Sequence, residues 1–379
     1  MFDSFISMIR EIYGNEYVPL HRPLFSDEEE NRVTKAIKSN FVSSAGQDIE
    51  IFESEIANFT GARHAIATVN GTAALQVAMH VSNVGPGDEV ITQAVSFVAT
   101  ANAISYCGAK PIFIDIDLET LSMSPTALLN FLQNRVEIKS GGAYNKKSGA
   151  RIKACLPMHS FGHPARIAEI SAICKRFNIT LIEDCAESLG SFIGDTHTGL
   201  FGKSAAISFN GNKIITTGGG GIIITNDDEL AGRAKHITTT AKCSHPYEYY
   251  HDELGFNYRM PNLNAALGLA QVGKLSDFLK IKRSLAIRYQ KFFQNTEFEF
   301  FWEREGIKSN FWLNSVICGN LEARNSFLEE TNAAGIMTRP LWKLLNTLPM
   351  YMACETDALD NSKWLAERLV NIPSSVPKI

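Results

Sequence analysis

One lysine stands inside the stretch FNGNKIITTGGGG, residues 209–221, and a run of four glycines follows it. A lysine amine becomes a nucleophile only after it loses its proton, and partial burial among small residues lowers the pKa of such an amine. Glycine neighbours also leave room for a bulky ligand to approach the nitrogen. The stretch makes Lys213 a candidate nucleophile, although a solvated loop lysine beside a strand-to-strand connection fits the same residues.

Asn70-Gly71-Thr72 marks the turn between a predicted strand over 63–69 and a predicted helix over 72–83. A helix start directs unpaired N–H groups and the positive end of the helix dipole outward, which suits a phosphate. Gly71 would allow close approach, and Thr72 would add a hydroxyl. The same residues also describe a plain strand-to-helix turn with a capping side chain.

A strand predicted over 179–183 ends in two carboxylates, Glu183 and Asp184. Ligands of α/β proteins bind beyond the carboxyl ends of the strands, so an acid here faces the expected site. Asp184 could pair with a protonated ring nitrogen, cap a helix or bind a metal. No histidine, cysteine or acidic spacing elsewhere supports a metal, and we expect no metal site.

These three features together match the requirements of a pyridoxal phosphate enzyme. A lysine forms the Schiff base with that cofactor, an acid keeps the pyridine nitrogen protonated, and a helix start anchors the phosphate. All three features stand at the same predicted edge of one sheet. A Rossmann dehydrogenase is excluded, because no GxGxxG follows the first strand.

Alternating apolar strands and helices predict an α/β fold with a mostly parallel sheet between helices. The strand candidates are 63–69, 89–93, 110–115, 152–158, 179–183, 205–210 and 221–225. A long helix predicted over 262–295 then leads into a smaller α+β region. We expect a large cofactor-binding domain over 18–260, with an N-terminal helix within 1–17 packed on it, and a small C-terminal domain over 261–379. An exposed insertion is expected over 137–150.

The composition excludes several classes of protein. The formal net charge is −4, and no basic cluster suits a nucleic acid or an anionic membrane. No window of about 18 apolar residues could span a bilayer. The seven cysteines form no CxxC pair, which argues against a disulfide framework and a structural zinc site and favours a cytoplasmic protein.

The sequence resembles the sugar nucleotide aminotransferases called the DegT/StrS group, which have the aspartate aminotransferase-like fold type I. The motifs that carry the resemblance cover nearly the whole chain: NGTAAL (70–75), GDEVITQAVSFVATANAI (87–104), GAKPIFIDID (108–117), MHSFGHP (158–164), LIEDCAESLG (181–190), SFNGNKIITTGGGG (208–221) and LGFNYRMPNLNAALGLAQ (254–271). The resemblance implies a pyridoxal phosphate enzyme that forms a homodimer with active sites at the subunit interface.

The resemblance also implies a role for each matching residue of the cofactor site. Lys213 would be the Schiff-base lysine and proton carrier, and Asp184 would hold the pyridine nitrogen. Phe97 would stack on the cofactor ring, a role that its aromatic face suits. The phosphate would be bound by Gly71, Thr72 and Ser208.

Three other positions carry implications from the same resemblance. Asn257 would reach the phosphate of the neighbouring subunit's cofactor. Glu187 stands where many members carry glutamine, near the cofactor's phenolic oxygen, and a second acid there would alter the local charge. Trp342 is followed four residues later by Asn346, where relatives often have a histidine that contacts the substrate.

Within the family, VPLHRPLF (18–25), FVSSAG (41–46) and NIPSS (371–375) look most like the branch that acts on UDP-2-acetamido-4-keto-6-deoxyhexoses. That branch uses L-glutamate as the amino donor. The candidate substrate contacts are His159, Arg259 and Arg339. A structural hydrogen bond fits the histidine equally well, and an interface ion pair fits each arginine.

Two alternatives share the fold. A sugar nucleotide dehydratase of this kind carries histidine at the lysine position, so Lys213 argues against that activity. A non-catalytic regulator that binds pyridoxal phosphate would be expected to carry a DNA-binding module, for which this sequence shows no additional segment. We therefore expect an aminotransferase.

Overall fold

A computed structural model describes residues 1–377. The helices are α1 (Phe2–Tyr13), α2 (Asp27–Lys38), α3 (Gln47–Thr60), α4 (Gly71–Val81), α5 (Val98–Tyr106), α6 (Pro125–Arg135), α7 (Ile167–Arg176), α8 (Asp228–Thr238), α9 (Asn262–Phe293), α10 (Leu321–Ala333) and α11 (Asp360–Ala366). None of the helices in this part of the chain has the length and apolar character needed to cross a membrane. Residues 378–379 of the expected small domain lie outside the described residues.

The strands alternate with these helices through the first two thirds of the chain, and the remaining strands follow α9. They are β1 (His64–Thr68), β2 (Glu89–Gln93), β3 (Lys110–Ile114), β4 (Ile116–Asp117), β5 (Ser122–Met123), β6 (Val136–Lys139), β7 (Gly142–Asn145), β8 (Arg151–Leu156), β9 (Thr180–Asp184), β10 (Phe192–Ile193), β11 (Thr196–His197), β12 (Ser204–Ser208), β13 (Gly221–Thr225), β14 (Glu299–Phe300), β15 (Ile307–Lys308), β16 (Asn314–Ile317), β17 (Arg339–Pro340) and β18 (Leu369–Ile372).

A nine-stranded sheet forms the centre of the fold, with the main path β1-β13-β12-β9-β8-β2-β3. Neighbouring strands from β12 to β3 run parallel, whereas β13 pairs antiparallel with both β12 and β1. The predicted α/β fold with a mostly parallel sheet is therefore confirmed.

Both faces of this sheet are covered by helices, and three consecutive isoleucines of β13 show how. Ile222 and Ile224 are buried in the cluster that contains the apolar residues of α3 and α9. Ile223 points to the other face and is buried with residues of α4 and α8. Because successive side chains of a strand alternate between faces, a strand buried on both sides reads as a continuous apolar run.

The strand directions bring three loops to one edge of the sheet. β1 is antiparallel to β13, which is antiparallel to β12, so β1 and β12 run the same way. The residues that follow β1, β9 and β12 therefore emerge at the same edge, which is where ligands of α/β proteins bind. The glycine-rich connection from β12 to β13 also turns there and carries Lys213.

The C-terminal part begins with the 32-residue helix α9 and contains the antiparallel sheet β14-β16-β18-β17. α1 packs on this part, because Phe5 and Ile9 are fully buried in one cluster with Phe293 of α9 and Phe327 of α10. The expectation that the N-terminal helix packs on the large domain is wrong, since its apolar face is completed by the aromatic residues of the small one. The boundary near residue 261 stays a proposal.

Two segments differ from the expected elements. The insertion expected over 137–150 forms the hairpin β6–β7, and β7 pairs with β8 and so extends the large sheet. α2 and α3 add two helices in a region where no element is predicted. The sequence does carry a start signal for α2, since Ser26 and Glu29 form a capping box there.

Lys282, in the middle of α9, is fully buried. Its Nζ donates to the carbonyl oxygens of Trp312 and Ser374 and lies 3.2 Å from Nε2 of His21. These neutral acceptors do not offset the loss of water, and burial lowers the pKa of Lys282 to about 7. The lysine joins the N-terminal segment, α9 and two C-terminal segments at one point.

Replacement of Lys282 by methionine tests the burial of this charge. Between pH 7 and about 10 the unfolded chain binds more protons at Lys282 than the folded chain, so this group makes the free energy of unfolding rise with pH. Relative to Lys282→Met, the free energy of unfolding of the wild-type protein should rise by about 1 kcal/mol per pH unit between pH 7 and 9, as measured by urea denaturation. Lys280→Met, at an exposed lysine of the same helix, should follow the wild type. Equal pH dependence in all three proteins would contradict this account.

Candidate active site

A cavity of about 310 Å³ opens at the sheet edge where β1, β9 and β12 end. Residues of both parts of the chain line it: Asn70, Gly71, Thr72, Leu75, Phe97, Ala99, Thr100, Met158, Asp184, Ala186, Glu187, Ser208, Asn210, Asn212, Lys213, Trp312 and Trp342. Each residue predicted to contact the cofactor of its own subunit is among them.

The start of α4 forms one wall of the cavity. Asn70 caps the helix, because its side-chain oxygen accepts a hydrogen bond of 2.8 Å from the N–H of Ala73. Gly71 lies so close to β12 that an added Cβ would stand 2.8 Å from Cβ of Ser208. Only glycine allows this approach, which places the hydroxyl groups of Thr72 and Ser208 beside the helix start, where an anion is stabilised.

Asp184 closes β9 with a buried carboxylate. Its Oδ2 accepts a hydrogen bond of 2.7 Å from Oγ1 of Thr100, and its Oδ1 accepts one of 3.1 Å from the N–H of Ala186. Burial raises the pKa of Asp184, and the Thr100 and Ala186 hydrogen bonds oppose that rise. Because both oxygens are held, the carboxylate has a fixed orientation at the cavity wall.

Lys213 reaches the cavity from the β12–β13 connection, with only 13% of its side chain exposed. Its Nζ lies 3.3 Å from Oε1 of Glu187 and 3.9 Å from the centre of the Trp312 ring. The indole nitrogen of Trp312 donates to the carbonyl oxygen of Asn212, so the ring is tied to the same connection. An ion pair and a cation–π contact thus hold the amine in place.

Glu187 is the second buried carboxylate of the cavity. Its Oε2 accepts a hydrogen bond of 2.8 Å from the N–H of Phe161, which leaves Oε1 to face Lys213. Burial raises the pKa of Glu187 to about 7, although the positive charge of Lys213 acts in the opposite direction. This side chain therefore changes its protonation state near neutral pH.

Aromatic rings line the mouth of the cavity. Phe97 stands just before α5 and is 50% exposed. The ring of Trp342 meets Phe97 edge to face, with 6.3 Å between ring centres, and stacks on Phe161 at 4.8 Å. The sequence did not single out Trp312, since no motif marks it and the contact arises only when the small domain meets the β12–β13 connection.

His159 lies behind the cavity wall and not in the lining. Its Nε2 is 3.0 Å from Oε2 of Glu183, and its Nδ1 accepts a hydrogen bond of 3.0 Å from the N–H of Ala165. The same glutamate accepts hydrogen bonds from three backbone N–H groups in the turn over 199–202. These contacts fit the structural alternative for this histidine, and its contact with substrate stays a prediction.

The remaining predicted residues also stand apart from the cavity lining. Asn257 is exposed in the segment before α9. Arg259 faces a separate surface groove formed with α2 and α3. Arg339 is exposed on β17 and donates to the side chain of Asn332. Their roles, and that of Asn346, stay predictions.

The cavity fits pyridoxal phosphate. The start of α4 offers an anion site that only glycine leaves open, and Asp184 offers a fixed acid. Among the lining residues of the described chain, Lys213 offers the one amine. The fold and this arrangement define a fold type I enzyme of the pyridoxal phosphate class.

Comparison with known proteins gives the family. The sequence profile of the DegT/DnrJ/EryC1/StrS aminotransferase family matches residues 23–377, and the chain belongs to this family. The GDP-perosamine synthase of Escherichia coli O157:H7 is 34% identical over 89% of this chain and 87% of its own length. The GDP-perosamine synthase of Vibrio cholerae is 32% identical over 94% of both.

The fold has close counterparts among solved structures. A DegT DnrJ EryC1 StrS aminotransferase from Brucella abortus superposes with a TM-score of 0.84 and 26% identity, over 92% of this chain and 90% of that chain. The protein is therefore a pyridoxal phosphate-dependent sugar aminotransferase, as the sequence predicted, and its cofactor is pyridoxal 5'-phosphate.

Replacement of Thr100 by valine removes the hydroxyl donor of Asp184 and keeps the side-chain shape. A hydrogen bond to a charged group contributes about 1.5–3 kcal/mol, so we expect the apoenzyme to bind pyridoxal phosphate about tenfold or more weakly. Titration of the apoenzyme with cofactor measures this. The control is Thr238→Val, at a buried threonine that donates within α8. If Thr100→Val binds pyridoxal phosphate as tightly as the wild type, the hydrogen bond from Thr100 to Asp184 does not contribute to cofactor binding.

Proposed function

We propose that the enzyme transfers the amino group of L-glutamate to C4 of a nucleotide-linked 4-keto-6-deoxy sugar. The observation that carries the proposal is the single cavity that collects Lys213, Asp184 and the start of α4. The family is that of sugar aminotransferases, which supports a sugar nucleotide as amino acceptor.

We assign the cofactor contacts from the cavity. Gly71, Thr72 and Ser208 would bind the phosphate, and Phe97 would stack on the ring. Asp184 would hold the ring nitrogen, and Glu187 would stand near the phenolic oxygen. When bound, pyridoxal phosphate supplies an electron sink for the carbon that loses its proton.

Lys213 would hold the cofactor covalently and then act as the base. Its Nζ accepts the proton from the α-carbon of glutamate and, in the second half of the reaction, delivers a proton to C4 of the sugar. The mostly buried position of the side chain limits proton exchange with water. The cation–π contact with Trp312 keeps the amine at the cavity while it is not covalently bound.

A second subunit would complete this site. Among the lining residues of the described chain, Lys213 is the one cation, whereas a nucleotide diphosphate and a dicarboxylic amino acid bring several negative charges. Asn257 and Arg259 lie outside their own cavity, on a segment preceded by the exposed side chains of Tyr249 and Leu254. We propose a homodimer in which this segment meets the partner's site, with Arg259 and Arg339 available to substrate.

The nucleotide is the point on which the motifs and the relatives differ. The motifs favoured a UDP-linked N-acetyl sugar, but the relatives described above are named for a GDP-linked product, so the UDP branch has no support from them. We therefore include both nucleotides in the test below.

Because the seven cysteines are free, we propose a cytoplasmic location, where thiols stay reduced. No observation favours a dehydratase or a regulator.

An absorption titration tests the proposed function. The wild-type holoenzyme should show the visible band of the lysine-bound cofactor, lose it with excess glutamate and regain it with a 4-keto-6-deoxy sugar nucleotide. The GDP-linked and UDP-linked ketosugars are added in parallel, and the larger rate of recovery identifies the nucleotide. A band that glutamate does not bleach, or that neither ketosugar restores, would refute the proposed donor or acceptor.

Lys213→Ala provides the second part of this test. This variant should lack the band and lose turnover entirely, because no other lining residue of the described chain carries an amine. Lys203→Ala, at an exposed lysine paired with Asp227, is the control and should behave as the wild type. Turnover at the wild-type rate in Lys213→Ala would overturn the assignment.

A further inference from the structure

Glu187 and Lys213 form a buried pair whose geometry points to proton exchange. The Glu187 side chain is 1% exposed, and its Oε1 lies 3.3 Å from Nζ of the lysine. The other oxygen is held by the N–H of Phe161, so Oε1 cannot turn away from the amine without breaking that bond. The contact is a hydrogen bond along which a proton can move.

The charged groups around the pair leave Glu187 as the direct partner of the lysine. Asp184 acts on both members through its charge and donates no proton, because its oxygens accept from Thr100 and Ala186. His21 contacts the Trp312 ring, with 6.4 Å between ring centres, and burial lowers its pKa well below the usual value, so it stays neutral.

We propose that Glu187 is a catalytic proton-exchange partner of Lys213, a role that rests on the proposed function and goes beyond a contact with the cofactor's phenolic oxygen. Before the lysine acts as a base, the Nζ–H bond breaks, the electron pair stays on nitrogen, and an O–H bond forms at Oε1. An ammonium and a carboxylate thereby become an amine and a carboxylic acid. The reverse transfer restores the ammonium, and no external acid or base is consumed.

Burial explains why the two forms of this pair can interconvert. Burial alone disfavours the charged carboxylate, and the nearby ammonium favours it, which places the pKa of Glu187 at about 7. A group with a pKa near the working pH can both take and release a proton efficiently. A glutamine at this position could keep the bond to Phe161 but could not accept the proton.

Glu187→Gln therefore separates proton exchange from structural support. In the apoenzyme, trace labelling of lysines by acetic anhydride at several pH values, read by peptide mass spectrometry, reports how much of Lys213 is unprotonated. Without the carboxylate the ammonium loses its partner, so Lys213 should be labelled several-fold faster at neutral pH than in the wild type. Glu29→Gln removes a buried carboxylate that pairs with a different, partly exposed lysine, Lys274, and should leave Lys213 labelling unchanged.

The half-reaction of the holoenzyme with glutamate gives the second readout. In the wild type the rate of this half-reaction should rise with pH through a group that titrates near pH 7. In Glu187→Gln this rising limb of the pH profile should disappear, and the rate should fall about a hundredfold. Glu187→Asp retains an exchangeable proton and should restore the limb in part. Wild-type labelling of Lys213 together with an unchanged pH profile in Glu187→Gln would overturn the inference. Failure of the wild type to react with glutamate would instead refute the proposed function.

Discussion

Two buried carboxylates beside one buried lysine set the electrostatics on which the site depends. Asp184 and Glu187 lie within one cavity with Lys213, and each acid is held by a backbone N–H group. Buried charges are costly unless they are paired and hydrogen-bonded. The backbone after β9 and at Phe161 supplies the donors, and the Phe161 N–H leaves Oε1 of Glu187 to face Lys213.

The small domain completes this arrangement and does not merely flank it. Trp312 and Trp342 reach the cavity from the C-terminal part, and Lys282 binds the carbonyl oxygen of Trp312 from the middle of α9. The same lysine contacts Ser374 and His21, so one buried side chain ties the segment that holds the Trp312 ring against Lys213 to two other segments. A shift of this domain would therefore move the Trp312 ring and weaken the cation–π contact that holds the amine of Lys213.

Sequence patterns predicted the parts of the site that follow directly from strand ends. Asp184 and Ser208 stand at the ends of strands, and Gly71 stands at the start of the helix that follows a strand. Once these strands run in the same direction, all three residues must lie at the same edge of the central sheet. Thr100 and Trp312 could not be predicted, because their roles arise from contacts between distant segments. The same limit applies to α1, whose apolar period predicts a helix but does not say which surface completes it.

The central claim is that Lys213 carries the cofactor, and borohydride reduction of the holoenzyme tests it most directly. Reduction fixes a lysine-bound cofactor as a stable secondary amine, and digestion with peptide mass mapping then locates it. The account predicts one phosphopyridoxyl group per chain, on the peptide that contains Lys213. A label on a different lysine, or a reconstituted holoenzyme that acquires no label, would contradict it.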